Sequence, residues 1–201
     1  MRMSRSLPIV HLARHGETAW SLTGRHTGLS DLPLTERGER NARRLAGRLA
    51  GLTFARVFTS PLVRASRTCE LAGFGGVAVV DRDLVEWDYG EYEGITSAEI
   101  RRTRPDWDLF RDGCPGGEKP EQVAARADRV IERIRAAEGD VLVFSSGHFI
   151  RVLAARWIGA EVPVPGRKFM LTTASLSAVG YEDDLAHPVI RLWNDDHHVG
   201  D

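Results

Sequence analysis

Apolar residues fall along this chain in two alternating rhythms. Pro8 to Ala13, Arg56 to Thr59 and Val141 to Phe144 are short segments of strand length, and Val77 to Val80 is a further one. Between them the apolar spacing lengthens to i, i+3, i+4, i+7. Ala42, Leu45, Ala46 and Leu49 line one face of a helix opened by Thr35 as N-cap and stopped at Gly51. Pro61 begins another helix, running through Leu71. The stretch Glu118 to Ala137 predicts the clearest helix, with Val123, Ala127, Val130, Ile131 and Ile134 on its buried stripe. A helix from about Phe149 to Ile158 and two strands, near Ala174 to Tyr181 and Val189 to Trp193, complete the pattern.

Strands alternating with helices, and apolar enough to be buried on both faces, imply an α/β fold. The expected form is a three-layer α/β/α sandwich around a mainly parallel open sheet. No repeat, low-complexity tract or Pro/Ser linker divides the 201 residues, so a single domain over 1–201 is expected. The segment from about 83 to 117 has little periodicity and many aromatics and acids, and is expected as an inserted, lid-like region over the site. Its Trp87, Tyr89, Tyr92 and Trp107 are expected to pack the loop itself.

Composition narrows the function only by exclusion. The formal net charge is −1, so no overall field recruits nucleic acid or a membrane. Cys69 and Cys114 match no metal or redox spacing. Met1 to Ser6 carries charge but no apolar run of a secretion leader, and no segment reaches membrane-spanning length, which together lead us to expect a cytoplasmic protein.

The chemistry gathers at strand ends. Arg14-His15-Gly16 follows the first strand, Thr59-Ser60-Pro61 through Arg64 follows the second, and Ser145-Ser146-Gly147-His148 follows Val141 to Phe144. Parallel strands bring these ends to one edge, where open α/β sheets bind ligands. Guanidinium forks suit phosphate oxygens, and the helix N-termini beyond the strands would add backbone N–H groups. A histidine among arginines stays neutral and nucleophilic.

Here the chain resembles the histidine phosphatase superfamily, the phosphoglycerate mutase-like group. The resemblance rests on Arg14-His15-Gly16-Glu17-Thr18-Ala19-Trp20, Thr27-Gly28, Leu34-Thr35-Glu36-Arg37-Gly38, Thr59-Ser60-Pro61 through Arg64, Glu86-Trp87-Asp88-Tyr89-Gly90, Tyr92-Glu93-Gly94, Gly117-Glu118 and the Val143 to Arg151 turn. It implies that His15 attacks phosphorus and becomes a phosphohistidine, while Arg14 and Arg64 bind the phosphoryl oxygens. It also implies that Glu86 serves as general acid and then base. Beside Trp87 and Tyr89, that carboxyl is expected in partly apolar surroundings. Substrate contacts are implied for Thr18, Ser21, Thr27, Gly28, Tyr89, Gly147, His148 and Arg151, the last reaching a distal group. No metal or organic cofactor is implied.

The chain departs from the family where a second histidine precedes a glycine, because that position is Ser146. Either Ser146 weakens the site or His148, two residues on, compensates. A strand-end turn sets direction residue by residue, which favours the first. Ser21 stands where many relatives carry asparagine, which favours a phosphatase pocket.

Only 31 residues lead from Glu86 to Gly117, and the chain closes soon after Trp193. Mutase relatives carry a longer insertion, so hydrolysis is favoured over phosphotransfer. The resemblance is nearest to broad-specificity acid phosphatases and sugar-bisphosphatases, acting on small phosphorylated metabolites. His197-His198 either echoes a histidine pair of the bisphosphatase relatives or belongs to a solvated tail. The non-enzyme alternative is a phosphate-binding pseudophosphatase, against which the retention of both His15 and Glu86 argues. A homodimer through the late strands is left open.

Overall fold

The computed structural model describes residues 7–200. The leader reading of Met1 to Ser6 concerns residues outside this range.

Six strands form one sheet: β1 (Val10–Arg14), β2 (Arg56–Thr59), β3 (Val79–Val80), β4 (Val141–Ser145), β5 (Leu176–Tyr181) and β6 (Pro188–Asp195). Their order is β3-β2-β4-β1-β5-β6. The first four run parallel, with Arg14 opposite Ser145 and Thr59 opposite Phe144. β5 and β6 pair antiparallel, so one edge of the mainly parallel sheet is a hairpin.

β4 shows why helices cover both faces. Its side chains alternate across the sheet and all are buried. Val141 and Val143 join α6 (Pro120–Arg135) and α7 (Gly147–Trp157) in one core. Leu142 and Phe144 join α2 (Glu36–Leu49) and α3 (Val63–Leu71) in the other. The expected stripe of α6 is buried throughout, and Thr35 caps α2 by accepting from the Gly38 amide.

Three boundaries differ from the sequence expectation. α3 starts at Val63 rather than Pro61, because the Val63 amide donates to Asp31 from a distant loop. α7 starts at Gly147, two residues early, with Ser146 as its N-cap residue. β3 shrinks to two exposed residues at the sheet edge. Two short elements were not anticipated: a 3-10 turn at Gly166–Lys168, and α1 (Ala19–Thr23), opened by reciprocal bonds between Thr18 and Ser21.

The stretch from 83 to 117 holds α4 (Ser97–Arg101), α5 (Leu109–Asp112) and two single 3-10 turns. Trp87, Tyr89, Trp107 and Phe110 are buried in the main core, as packing residues should be. Arg126 of α6 sets its course. That buried guanidinium donates to the carbonyls of Asp83, Val85 and Glu86 and pairs with Glu118, its face lying 4.5 Å from the Phe149 ring. Glu118 in turn accepts from the Asp88 amide, and its carbonyl accepts from the Trp87 indole. A loop poor in periodicity is thereby tied down by one cation.

Candidate active site

A cavity of about 180 Å³ opens over the carboxyl ends of β1 and β4. Arg14, His15, Ser21, Thr27, Glu86, Tyr89, Gly147, His148 and Arg151 line it, nine of the residues singled out by the sequence.

The β1 end is held from both sides. The His15 amide donates to Ser145, and the His15 carbonyl accepts from Ala174. The next residue must be small: a Cβ on Gly16 would lie 2.6 Å from the Gly38 carbonyl oxygen, and one on Gly38 would lie 2.2 Å from the Glu17 oxygen. Loop and helix therefore cross backbone to backbone, with Glu17 accepting from Thr35 and pairing with Arg37. This crossing aims His15 inward. Its Nδ1 lies 2.7 Å from the Gly16 carbonyl oxygen, an acceptor only, so Nδ1 carries the proton and Nε2 keeps its lone pair. Burial, then Arg64 and Arg14, hold the imidazole well below its usual pKa. The imidazole is therefore neutral.

Two guanidiniums, Arg14 and Arg64, act on His15, and a third, Arg151, lines the cavity further along. Arg14 donates to the Leu171 carbonyl and lies against Gly147, where a Cβ would come within 3.1 Å of its Nε. Burial draws its pKa down to about 10, with Arg151 adding to the effect. Arg64 is fully buried and gathers the loop carbonyls of Thr27, Gly28 and Ser30. The Nε atoms of Arg14, Arg64 and Arg151 are all buried and have no hydrogen-bond partner. Unpaired buried donors on cations are costly, and an anion rich in oxygens would satisfy them.

The helix N-termini do something other than the sequence suggested. Both are occupied by carboxylates. Asp31 takes the first amide of α3. Glu86 accepts from the His148 and Phe149 amides of α7 at 2.9 and 2.8 Å, and from the Trp87 amide at 2.9 Å. These three N–H donors, which the sequence did not reveal, hold the buried carboxylate at the cavity wall.

Four predicted residues lie off the cavity lining. Arg64 acts from behind the Thr27 to Ser30 loop. Thr18 is fully buried and spends its side chain on capping α1. Gly28 gives its amide to Glu93 and its carbonyl to Arg64. Ser146 is fully buried, and its hydroxyl has no partner. The Ser21 hydroxyl does reach the cavity but is bonded to the Thr18 backbone.

His26 was missed. It lines the cavity, its Nε2 is 3.2 Å from the Ser97 hydroxyl, and its ring is 4.6 Å from Tyr89. Burial pushes its pKa down to about 4, with Arg101 contributing. Only its adjacency to Thr27-Gly28 could have drawn attention to it. His198 donates toward the Ala174 carbonyl and His197 pairs with Asp195, so neither reaches the cavity. Among the described residues, no group of three metal-ligating side chains converges.

The model of the histidine phosphatase superfamily (branch 1) matches residues 10–196. The chain belongs to the histidine phosphatase superfamily. It is 44% identical over 177 residues to an acid phosphatase of Mycobacterium tuberculosis, covering 85% of each chain. It is 35% identical to sedoheptulose 1,7-bisphosphatase of Saccharomyces cerevisiae, covering 90% of this chain and 77% of that one. Among solved structures, that of the open reading frame Rv3214 of M. tuberculosis superposes with a TM-score of 0.88 at 37% identity. The match covers 96% of this chain and all of that one. The superfamily and its acid phosphatase and bisphosphatase members support phosphatase activity for this chain. No helix among the described residues is long and apolar enough to cross a membrane.

Proposed function

We propose that the protein hydrolyses phosphomonoesters of small metabolites, sugar phosphates or bisphosphates, through a phosphohistidine at His15. The observation that carries this reading is the pair of buried, unpaired guanidinium Nε atoms, of Arg14 and Arg64, beside a neutral imidazole. In the first step His15 Nε2 bonds to phosphorus while the ester P–O bond breaks, and Glu86 protonates the departing oxygen. In the second, water attacks phosphorus, Glu86 takes its proton, and the P–N bond breaks. Arg14 and Arg64 balance the charge that grows on the equatorial oxygens. Arg151, half-buried across the cavity, suits a second anionic group such as the distal phosphate of a bisphosphate.

Ser146 adjoins Ser145, the residue whose carbonyl anchors His15, so it borders the phosphoryl end. His148 does not cover for it. Its ring turns instead toward Tyr89, Phe110 and His26. The site therefore works with one preorganised donor fewer than its relatives, a loss typically on the order of a hundredfold in rate. Phosphate release from a panel of sugar phosphates and bisphosphates tests this. Ser146→His should turn over about a hundredfold faster on the same substrate, with its melting temperature checked separately. Equal turnover of the two proteins, both folded, would refute the role given to Ser146.

A further inference from the structure

The cavity has a second end, and its electrostatics differ from the first. His15 is influenced by Arg64 and Arg14, whereas His148 is influenced by Arg151, His26 and Arg14. Only Arg14 is common to both, and the His148 ring packs on Phe110, Tyr89 and His26, so it stands at the aromatic end of the cavity, to which the phosphatase reading assigns the leaving group.

His148 cannot move freely there. Its amide is bonded to Glu86, and its ring lies between Phe110 at 5.5 Å, Tyr89 at 5.9 Å and His26 at 5.9 Å. Its Nδ1 is 2.5 Å from the Tyr89 hydroxyl. Tyr89 is 1% exposed, and its hydroxyl makes this one hydrogen bond among the described residues. Were Nδ1 protonated, the tyrosine proton would be buried without an acceptor. The network therefore assigns the tyrosine as donor and Nδ1 as acceptor.

We propose that Tyr89 presets His148 in its Nε2–H tautomer, so that this neutral N–H recognises a hydroxyl or carbonyl oxygen of the leaving group. Tyr89 is a positioning residue, and His148 is a specificity residue for the oxygen-bearing part of the substrate. The surrounding groups favour the assignment. Burial, with Glu86 nearby, holds the tyrosine well above its usual pKa, so it keeps its proton. Burial, with Arg151, His26 and Arg14 nearby, keeps the His148 imidazole neutral far below pH 6.5. A neutral N–H there donates to an uncharged oxygen that Arg151 alone would select poorly. This inference rests on the phosphatase reading above and adds the chemical class of leaving group.

Glycerol phosphate and propyl phosphate test it, because they differ in hydroxyl groups and hardly in size. The wild-type chain should prefer glycerol phosphate, chiefly through KM. In His148→Ala the ratio of kcat/KM between the two should fall about tenfold, the worth of one neutral hydrogen bond. His148→Gln keeps an N–H at similar reach and should restore the ratio, while Tyr89→Phe should lower it. General damage to the fold slows both substrates and cancels from the ratio. Long-range proton–nitrogen NMR reads the tautomer directly, with Nδ1 bare and Nε2 protonated from pH 7.5 to 5. A protonated Nδ1, or an unchanged ratio in His148→Ala, overturns the proposal. If the wild-type chain releases no phosphate from either ester, the phosphatase reading fails instead, and the NMR assignment still decides the state of His148.

Discussion

The two ends of the cavity are built on opposite principles. At the phosphoryl end, positive charge is left unsatisfied: the Nε atoms of Arg14 and Arg64 are buried without partners beside a neutral nucleophile. At the leaving-group end, uncharged polar groups satisfy one another, with Tyr89 on His148 and His26 on Ser97, while the Arg151 Nε is left buried and unpaired. The first end is strained toward one kind of ligand, a multiply charged oxyanion. The second is largely bonded within itself, and in the proposal above it discriminates by shape and by single hydrogen bonds. Affinity for phosphate and choice of substrate are thus carried by different residues, and they can be changed separately.

The largest expected effect tests what the two ends share. Arg126 holds the backbone from Asp83 to Glu86 and so underlies both Glu86 and Tyr89. Removing it in Arg126→Met leaves three carbonyls without their side-chain donor and the Glu118 carboxylate without its cation. The expected cost is about 3 kcal/mol, or roughly 10 °C in melting temperature, read by thermal denaturation. A change of only a degree or two would show that the loop is held by its aromatic packing alone.

A smaller effect separates the ends. Arg151→Leu should cost about ten- to a hundredfold in kcat/KM on a sugar bisphosphate, the worth of hydrogen bonds to a charged group. A monophosphate of the same sugar should suffer much less. Equal losses on both would place Arg151 at the phosphoryl end and erase the distinction between the two ends.

A further effect concerns pH. His15, His26 and His148 all have depressed values in the folded chain, in each case chiefly through burial. Below pH 6.5 the unfolded chain takes up protons that the folded chain refuses, so stability should fall as pH drops from about 6.5 toward about 4. His26→Asn should flatten that slope, as measured by melting temperature against pH. An unchanged slope would mean that His26 does not carry its share.

The phosphoryl end was largely legible in the sequence, and the reason is physical. Arg14, His15 and Ser146 leave strand ends, where a short apolar run and an abrupt stop mark both the element and the direction in which the next side chains point. Arg64 sits on the first turn of α3, one step further along the same logic. The leaving-group end was legible only in part. Tyr89, His148 and Arg151 were named through the family resemblance, but their mutual contacts, and His26 altogether, depend on packing between segments about sixty residues apart. Nor could periodicity reveal that Asp31 and Glu86 occupy the helix N-termini, since both carboxylates come from irregular loops. The fold kept closely to the alternation of runs, except where distant side chains moved a boundary, as Asp31 does at Val63.

The central claim is that His15 carries the phosphoryl group. Rapid acid-free quenching of the protein with a phosphorus-labelled sugar phosphate, and then peptide mapping, tests it directly. The account predicts a base-stable, acid-labile label on the peptide containing His15, accumulating more in this chain than in Ser146→His if hydrolysis of the intermediate is the slowed step, and absent from His15→Asn. Steady phosphate release with no label on His15, or a label that survives in His15→Asn, would contradict it.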